Sequence, residues 1–211
     1  MPMRVPNQQQ LERPWRIHEV VTGFELEDVW TLPEISGSAD DFASAIALFA
    51  DSDPAHARNL PTRLLWRVRD ALGRWFDLGG ISESVDGTGG LPIPGSTETT
   101  LLDRLPADLR GTAQGVRFAH LPFVPLFRTD DEFAAEISNR TVHGVMHLGW
   151  VAQGDGTYRG QMAVYVAPRG AFGAAYMAFI KPFRYLVVYP ALERQLAKAW
   201  TGRSRGAGEL R

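Results

Sequence analysis

Along the chain the spacing of apolar and polar positions changes several times, and each change predicts an element. Trp15-Arg16-Ile17-His18-Glu19-Val20-Val21 alternates in character, which predicts a first strand. Pro33 and Gly37 punctuate the stretch from Asp28 to Ile35 and predict irregular chain there. Asp40-Asp41 then stands before Phe42, Ile46 and Phe49, whose spacing of four and three predicts an N-capped helix with one apolar stripe. Pro61 opens a second candidate helix, in which Leu64, Leu65, Val68, Leu72, Trp75 and Phe76 fall close to the helical period. Gly79 to Gly95 is rich in Gly, Ser, Thr and Pro and predicts a long loop, of the kind that serves as a lid or lacks order.

In the second half the period shortens. Thr99 to Leu105 predicts a strand, and Pro106 to Arg110 a turn. Phe123 to Arg128, Glu132 to Ser138, Thr141 to Ala152 and Thr157 to Ala167 are β-rich runs joined by short polar turns, which predicts an antiparallel meander. Ala174 to Trp200 is the longest helical candidate, broken or kinked by Pro182 and Pro190. The order of strand, two helices, antiparallel strands and long C-terminal helix predicts an α+β fold whose curved sheet wraps that last helix. No internal repeat or linker divides the chain. The expected organisation is a tail over 1–14, one domain over 15–200, and a second tail over 201–211.

Composition narrows this picture without changing it. The 211 residues are 45% apolar and 22% charged, an ordinary globular mix. The net charge of -2 gives no basic excess for non-specific nucleic-acid binding, and the aromatics are not interleaved with a basic stripe. The absence of cysteine excludes disulfides, thiolate metal sites and a Cys nucleophile. No apolar run predicts membrane insertion, and Met1 to Gln10 carries no signal-peptide core, so a cytoplasmic protein is expected. Of 22 basic residues only Lys181 and Lys198 are lysine. A GC-rich, bacterial genome accounts for most such arginines, and planar anion recognition is the sharper alternative.

Several residues could carry chemistry. His143 and His147 share one strand face with Val145 and Gly149, while Val142, Gly144, Met146, Leu148 and Trp150 make the other, apolar face. Four strand residues separate the two histidines by about 13 Å, too far for one metal ion, so neither a metal nor a cofactor is expected. The face that bears them is open to three readings: solvent, a partner subunit, or a cavity in which they act as acid–base groups. Glu132 and Glu136 share a face in an acidic run and are expected on a solvated edge, with Glu136 within reach of Arg140 or Arg159 across the meander. Arg67, Arg69, Arg104, Arg110 and Arg184 are candidates for buried pairs with Asp103 or Asp108, or for a clamp on an anionic ligand. Ser-His-Asp, Walker and HExxH patterns are missing, as is a Gly-x-Gly-x-x-Gly after a strand.

Several separate blocks, spread from Arg16 to Trp200, resemble one family. They are Asp28-Val29-Trp30, Leu65-Trp66-Arg67-Val68-Arg69, Leu102 to Leu109, Asp130-Asp131-Glu132-Phe133, Glu136 to His143 and Ile180-Lys181-Pro182-Phe183-Arg184. That family is the domain of unknown function 2867, which looks like part of the START-like, helix-grip (SRPBCC) superfamily. The resemblance implies a hydrophobic cavity between sheet and C-terminal helix, in agreement with the element order. Its expected ligand-binding lining is Arg104, Met146, Trp150, Tyr165, Tyr176, Phe179, Phe183 and Arg184, with His143 and His147 as the catalytic candidates. The leading expectation is a binding module for a hydrophobic small molecule. A cyclase, hydratase or isomerase using the same cavity is the alternative. Some relatives carry this domain after a reductase or epimerase domain, so an accessory role beside such an enzyme is a further reading. A homodimer is compatible with each.

Overall fold

A computed structural model of the chain describes residues 3–52, 100–121, 123–138, 142–170, 194 and 196–202. Its frame is one six-stranded antiparallel sheet. The strands are β1 (Met3–Val5), β2 (Glu25–Gly37), β3 (Val124–Arg128), β4 (Glu132–Ser138), β5 (Val142–Ala152) and β6 (Tyr158–Pro168), in the spatial order β1-β2-β6-β5-β4-β3. The predicted meander is therefore present as β3 to β6. The β5–β6 turn closes with Gly154 and Gly156 both at positive φ, a conformation that glycine adopts without a Cβ penalty.

Three expectations for the first third are corrected. Residues 3–12, assigned to a tail, contribute β1 and the helix α1 (Asn7–Glu12), whose Gln10 is fully buried. The run from Trp15 to Val21 is not a strand but holds a short helix, α2 (Ile17–Val20), whose Ile17 and Val20 supply the buried side chains. Asp28 to Ile35 is not irregular: it lies inside β2, the longest strand. Pro33 misled the reading because it falls in a bulge, where Leu32 and Ser36 pair with the adjacent residues Gly160 and Arg159 and no ladder N–H is needed from the residues between. A second register shift lies between Leu26 and Asp28. Bulges of this kind bend and twist a strand, and this one runs along a curved sheet.

The helix expected after Asp40-Asp41 is α3 (Phe42–Ala50), with Phe42, Ala45, Ile46, Phe49 and Ala50 buried. Its cap starts one turn earlier than the aspartates suggest. Ser38 and Asp41 form a reciprocal capping box around the 3-10 turn Ala39–Asp41. Thr99 to Leu105 was expected to be a strand, but Leu101–Arg104 forms a 3-10 helix capped by Thr100. The second candidate helix and the Gly79 to Gly95 loop lie outside the described residues. Of the long C-terminal candidate, 196–200 are helical, with Leu196 and Trp200 buried, and the helix runs on through 201–202, expected to form a tail.

Both faces of the sheet are covered. One face carries a core of Val29, Phe127, Ala134, Val145, Ala163 and Tyr165 packed under α2 and the 101–109 segment. The other carries Leu32, Phe133, Ala135, Met146, Leu148, Trp150 and Met162 packed under α3, Leu196 and Trp200. Double coverage explains why β4 and β5 are buried almost end to end rather than at alternate positions. No described helix is long and apolar enough to cross a membrane.

Candidate functional site

The face under α1 and α2 contains a buried polar layer that repeats one unit twice. In the β4–β5 ladder, Glu132 lies opposite Gly149 and Glu136 opposite Val145. Each histidine stands two residues before its glutamate's direct partner. The same diagonal therefore joins Glu132 to His147 (Oε2 to Nε2, 3.1 Å) and Glu136 to His143 (Oε2 to Nε2, 2.8 Å). Both rings are about 1% exposed, and Glu132 and Glu136 are nearly as buried.

Each carboxylate also holds the start of a short helix. The backbone N–H groups of Arg16 and Ile17 donate to Glu132 at 2.7 and 3.1 Å, where α2 begins. The backbone N–H of Leu101 donates to Glu136 at 3.0 Å, and the Thr100 hydroxyl donates to its other oxygen, where the 3-10 helix begins. These donors have no partner within their own helices. An aromatic ring then closes each unit edge-on: Trp15 over His147 at 5.3 Å and Phe24 over His143 at 4.9 Å, centroid to centroid. Gly149 makes room for Trp15, since a Cβ there would lie 3.0 Å from the indole.

The two units differ at one point. The second nitrogen of His147, Nδ1, lies 3.1 Å from Gln10 Nε2, which also donates to the Tyr165 hydroxyl at 3.0 Å. Gln10 Oε1 accepts from Gln161 Nε2 at 2.6 Å. Because the Gln10 nitrogen donates, Nδ1 must accept, so His147 is the neutral Nε2–H tautomer and donates to Glu132. Burial would raise the Glu132 carboxyl. The His147 hydrogen bond and the backbone donors of Arg16 and Ile17 outweigh it and hold the group below the ordinary glutamate range. Burial pushes the Tyr165 phenol up to about 12, against the Gln10 hydrogen bond, with the Glu132 charge adding to the rise. Burial lowers His18, at the edge of the layer, and a positive charge on His147 would lower it further, while Glu132 opposes both.

The expected site residues therefore separate. His143, His147 and Tyr165 belong to the polar layer. Met146 and Trp150 point from the opposite face, toward α3 and Trp200. Arg104 is exposed on the 3-10 helix, so it is no buried clamp. Tyr176, Phe179, Phe183 and Arg184 lie outside the described residues, as do Arg67 and Arg69. Arg110 donates its Nε to the Leu105 carbonyl at 2.9 Å, a structural bond. Asp108 pairs with Arg16 on the surface at 2.8 Å. Glu132 and Glu136 are not on a solvated edge, because the covering helices bury them, and Glu136 pairs with His143; Arg140 lies outside the described residues. Among the described residues no group of three or more acidic or histidine side chains is placed to hold a metal ion.

Gln10, Gln161, Thr100 and Trp15 carry the layer and were not singled out from sequence. The signal for the glutamates was present: Glu-x-x-x-Glu on one strand and His-x-x-x-His on the next, across a short turn, place both pairs on the same diagonal.

A family model described as "Protein of unknown function (DUF2867)" matches residues 20–191. No curated protein and no solved structure matches the chain.

Proposed function

The chain belongs to the DUF2867 family of unknown function, a description that attaches no reaction, and we propose that it is a START-like binding module for an apolar small molecule. The ligand would lie between the sheet and the C-terminal helical segment, against Met146, Trp150 and Met162. One observation carries this reading. Around the fully buried centre of that face stands a fringe of large apolar side chains that are only partly buried: Trp30, Leu48, Phe118, Phe123 and Tyr158. Incompletely covered aromatic surface at the rim of an apolar face is the ordinary lining of a small-molecule site. Tyr176, Phe179, Phe183 and Arg184 are proposed to complete it, the arginine serving any anionic end of the ligand. Tyr165 and Arg104 leave the set, since Tyr165 is in the opposite layer and Arg104 is on a helix that covers that layer.

The enzyme reading placed His143 and His147 in this same cavity. Both rings lie on the other face of the sheet beneath Trp15 and Phe24, away from the side proposed for the ligand, which favours the binding reading.

Native mass spectrometry of the purified chain, followed by a thermal-shift series with fatty acids, sterols and aromatic polyketides, tests the proposal. The expected result is a co-purifying apolar species, or a rise in Tm that Met146→Gln abolishes. A chain that carries nothing, responds to no member of the series and shows a solidly packed interior on this face in a crystal structure would overturn it.

A further inference from the structure

We propose that Gln10 and Gln161 form a reversible amide relay that lets His147 take up a proton inside the closed layer while α1 stays docked. The observation is the chain Gln161 Nε2 to Gln10 Oε1, then Gln10 Nε2 to both His147 Nδ1 and the Tyr165 hydroxyl. A charged imidazole has a donor at each nitrogen. With Gln10 as it stands, a proton on Nδ1 would face another donor. A half-turn of the Gln10 amide removes that conflict. Its oxygen then accepts from His147 Nδ1–H and from the Tyr165 O–H, and its nitrogen points at Gln161. A matching half-turn of Gln161 presents an oxygen to that nitrogen. The hydroxyl of Tyr165 serves both states because it donates and accepts equally well. All three contacts of the relay are remade with donor and acceptor exchanged, and one Gln10 N–H gives up its acceptor in the charged state.

The surroundings suit a cation at His147. Glu132 from β4 faces the other ring nitrogen and is itself held as an anion by the Arg16 and Ile17 N–H groups. His143 lies farther along β5 with its own partner, Glu136. Among the described residues, Tyr165 of β6 and His18 of α2 are the other titratable neighbours, both discharged at neutral pH, and α1 contributes the uncharged Gln10. The Arg16 guanidinium is turned to the surface, paired with Glu19 and Asp108.

The test is side-chain 15N NMR of histidine-labelled full-length protein through a pH titration, with amide exchange of residues 7–12 followed in parallel. In the wild type the His147 signals are expected to pass from the Nε2–H form to the doubly protonated form while exchange protection at 7–12 holds. Gln10→Met removes the relay and leaves a charged N–H without an acceptor, so proton uptake is expected about one pH unit lower. Gln161→Glu offers only acceptors to Gln10, pins its oxygen toward His147 and is expected to raise the pH of uptake. The double variant Gln10→Met/Gln161→Glu keeps the added charge without the relay and is expected to lose that rise. The proposal is overturned if residues 7–12 lose protection as His147 gains its proton, or if the two single variants shift uptake in the same direction. It also fails if the double variant behaves like Gln161→Glu. Should Gln10→Met fail to fold, the exchange readout in the wild type still decides, because loss of protection at residues 7–12 as His147 gains its proton overturns the proposal.

Discussion

Glu132 and His147 meet at 3.1 Å along a diagonal of the β4–β5 ladder, and the same carboxylate receives the first N–H groups of α2. One side chain thus fastens two strands to each other and a helix to the sheet. Removing it strands three donors in a closed layer. Glu132→Ala is expected to destabilise the chain by about 3–5 kcal/mol, the range for breaking a buried hydrogen-bonded pair. Glu136→Ala is expected to fall in the same range, because it also serves three donors. Urea denaturation with a two-state fit checks both values. Losses below about 1 kcal/mol would show that the layer contributes little to anchoring the helices.

The legibility of this arrangement was uneven for physical reasons. The meander could be read because its turns and its period-2 runs are local features. Glu132 and Glu136 were legible as sharing a face, and His143 and His147 likewise. Their burial was not legible, since it depends on α1, α2 and the 101–109 segment, which are distant in sequence. Charged residues on a strand ordinarily mean solvent, and here the helix starts take the place of water. Gln10 shows the same gap: in a polar stretch near the N-terminus nothing local announces a fully buried side chain. Pro33 misled in the other direction, because a bulge tolerates what a regular ladder does not.

Stability should fall on both sides of neutrality. His18 and Glu132 both have folded-state values below their ordinary ones, His18 chiefly through burial and Glu132 through its hydrogen bonds working against burial. Their contributions are present above the unfolded values and lost as pH falls. A first loss is expected below about 6.5 from His18, and a second below about 4.5 from Glu132. Tyr165 is raised by burial to about 12, so its contribution is whole below 10 and disappears as pH climbs from 10 toward 12. Thermal melts from pH 3 to 11 should trace this profile. His18→Phe should remove the first acid step and leave the second. An unchanged first step in that variant would assign it to another group.

The contact between Gly149 and Trp15 is tight enough that a methyl group at 149 would have to push the indole aside. A Cβ at 149 would lie 3.0 Å from Cζ2 and 3.2 Å from Cη2 of the indole. Gly149→Ala is expected to cost about 1–3 kcal/mol by displacing Trp15, the overpacking range. Loss of the edge-on contact with His147 should appear as a change in tryptophan near-ultraviolet circular dichroism. The smaller ring of Trp15→Phe should relieve part of the strain, so the double variant is expected to be more stable than the sum of the two single losses predicts. Simple additivity would mean that Trp15 moves aside without cost.

Arg16 and Asp108 meet on the surface, with Glu19 joining the same guanidinium. The group links α2 to the segment after the 3-10 helix, so it connects the two covering pieces that the buried glutamates anchor. Exposed pairs of this kind are weak and screened by salt. Asp108→Asn is expected to lower Tm slightly in dilute buffer and not measurably at 1 M NaCl. A loss that persists in high salt would point to packing rather than charge.

Exchanging Glu136 and His143 separates the two jobs of the carboxylate. The double variant Glu136→His/His143→Glu keeps a histidine–glutamate diagonal between β4 and β5 at the same two positions. It also moves the carboxylate off β4, away from the Leu101 N–H and the Thr100 hydroxyl that it now receives. If cross-strand pairing dominated, the exchange would restore stability lost in either single variant. The helix-start donors cannot follow the carboxylate to β5, and a neutral ring on β4 has one acceptor nitrogen at most. The double variant is therefore expected to be no more stable than Glu136→His alone. Hydrogen exchange should show the loss concentrated at residues 100–105 rather than along the β4–β5 ladder. Full recovery of stability with protected 100–105 amides would reverse the assignment, making the pair a strand lock first and a helix anchor second.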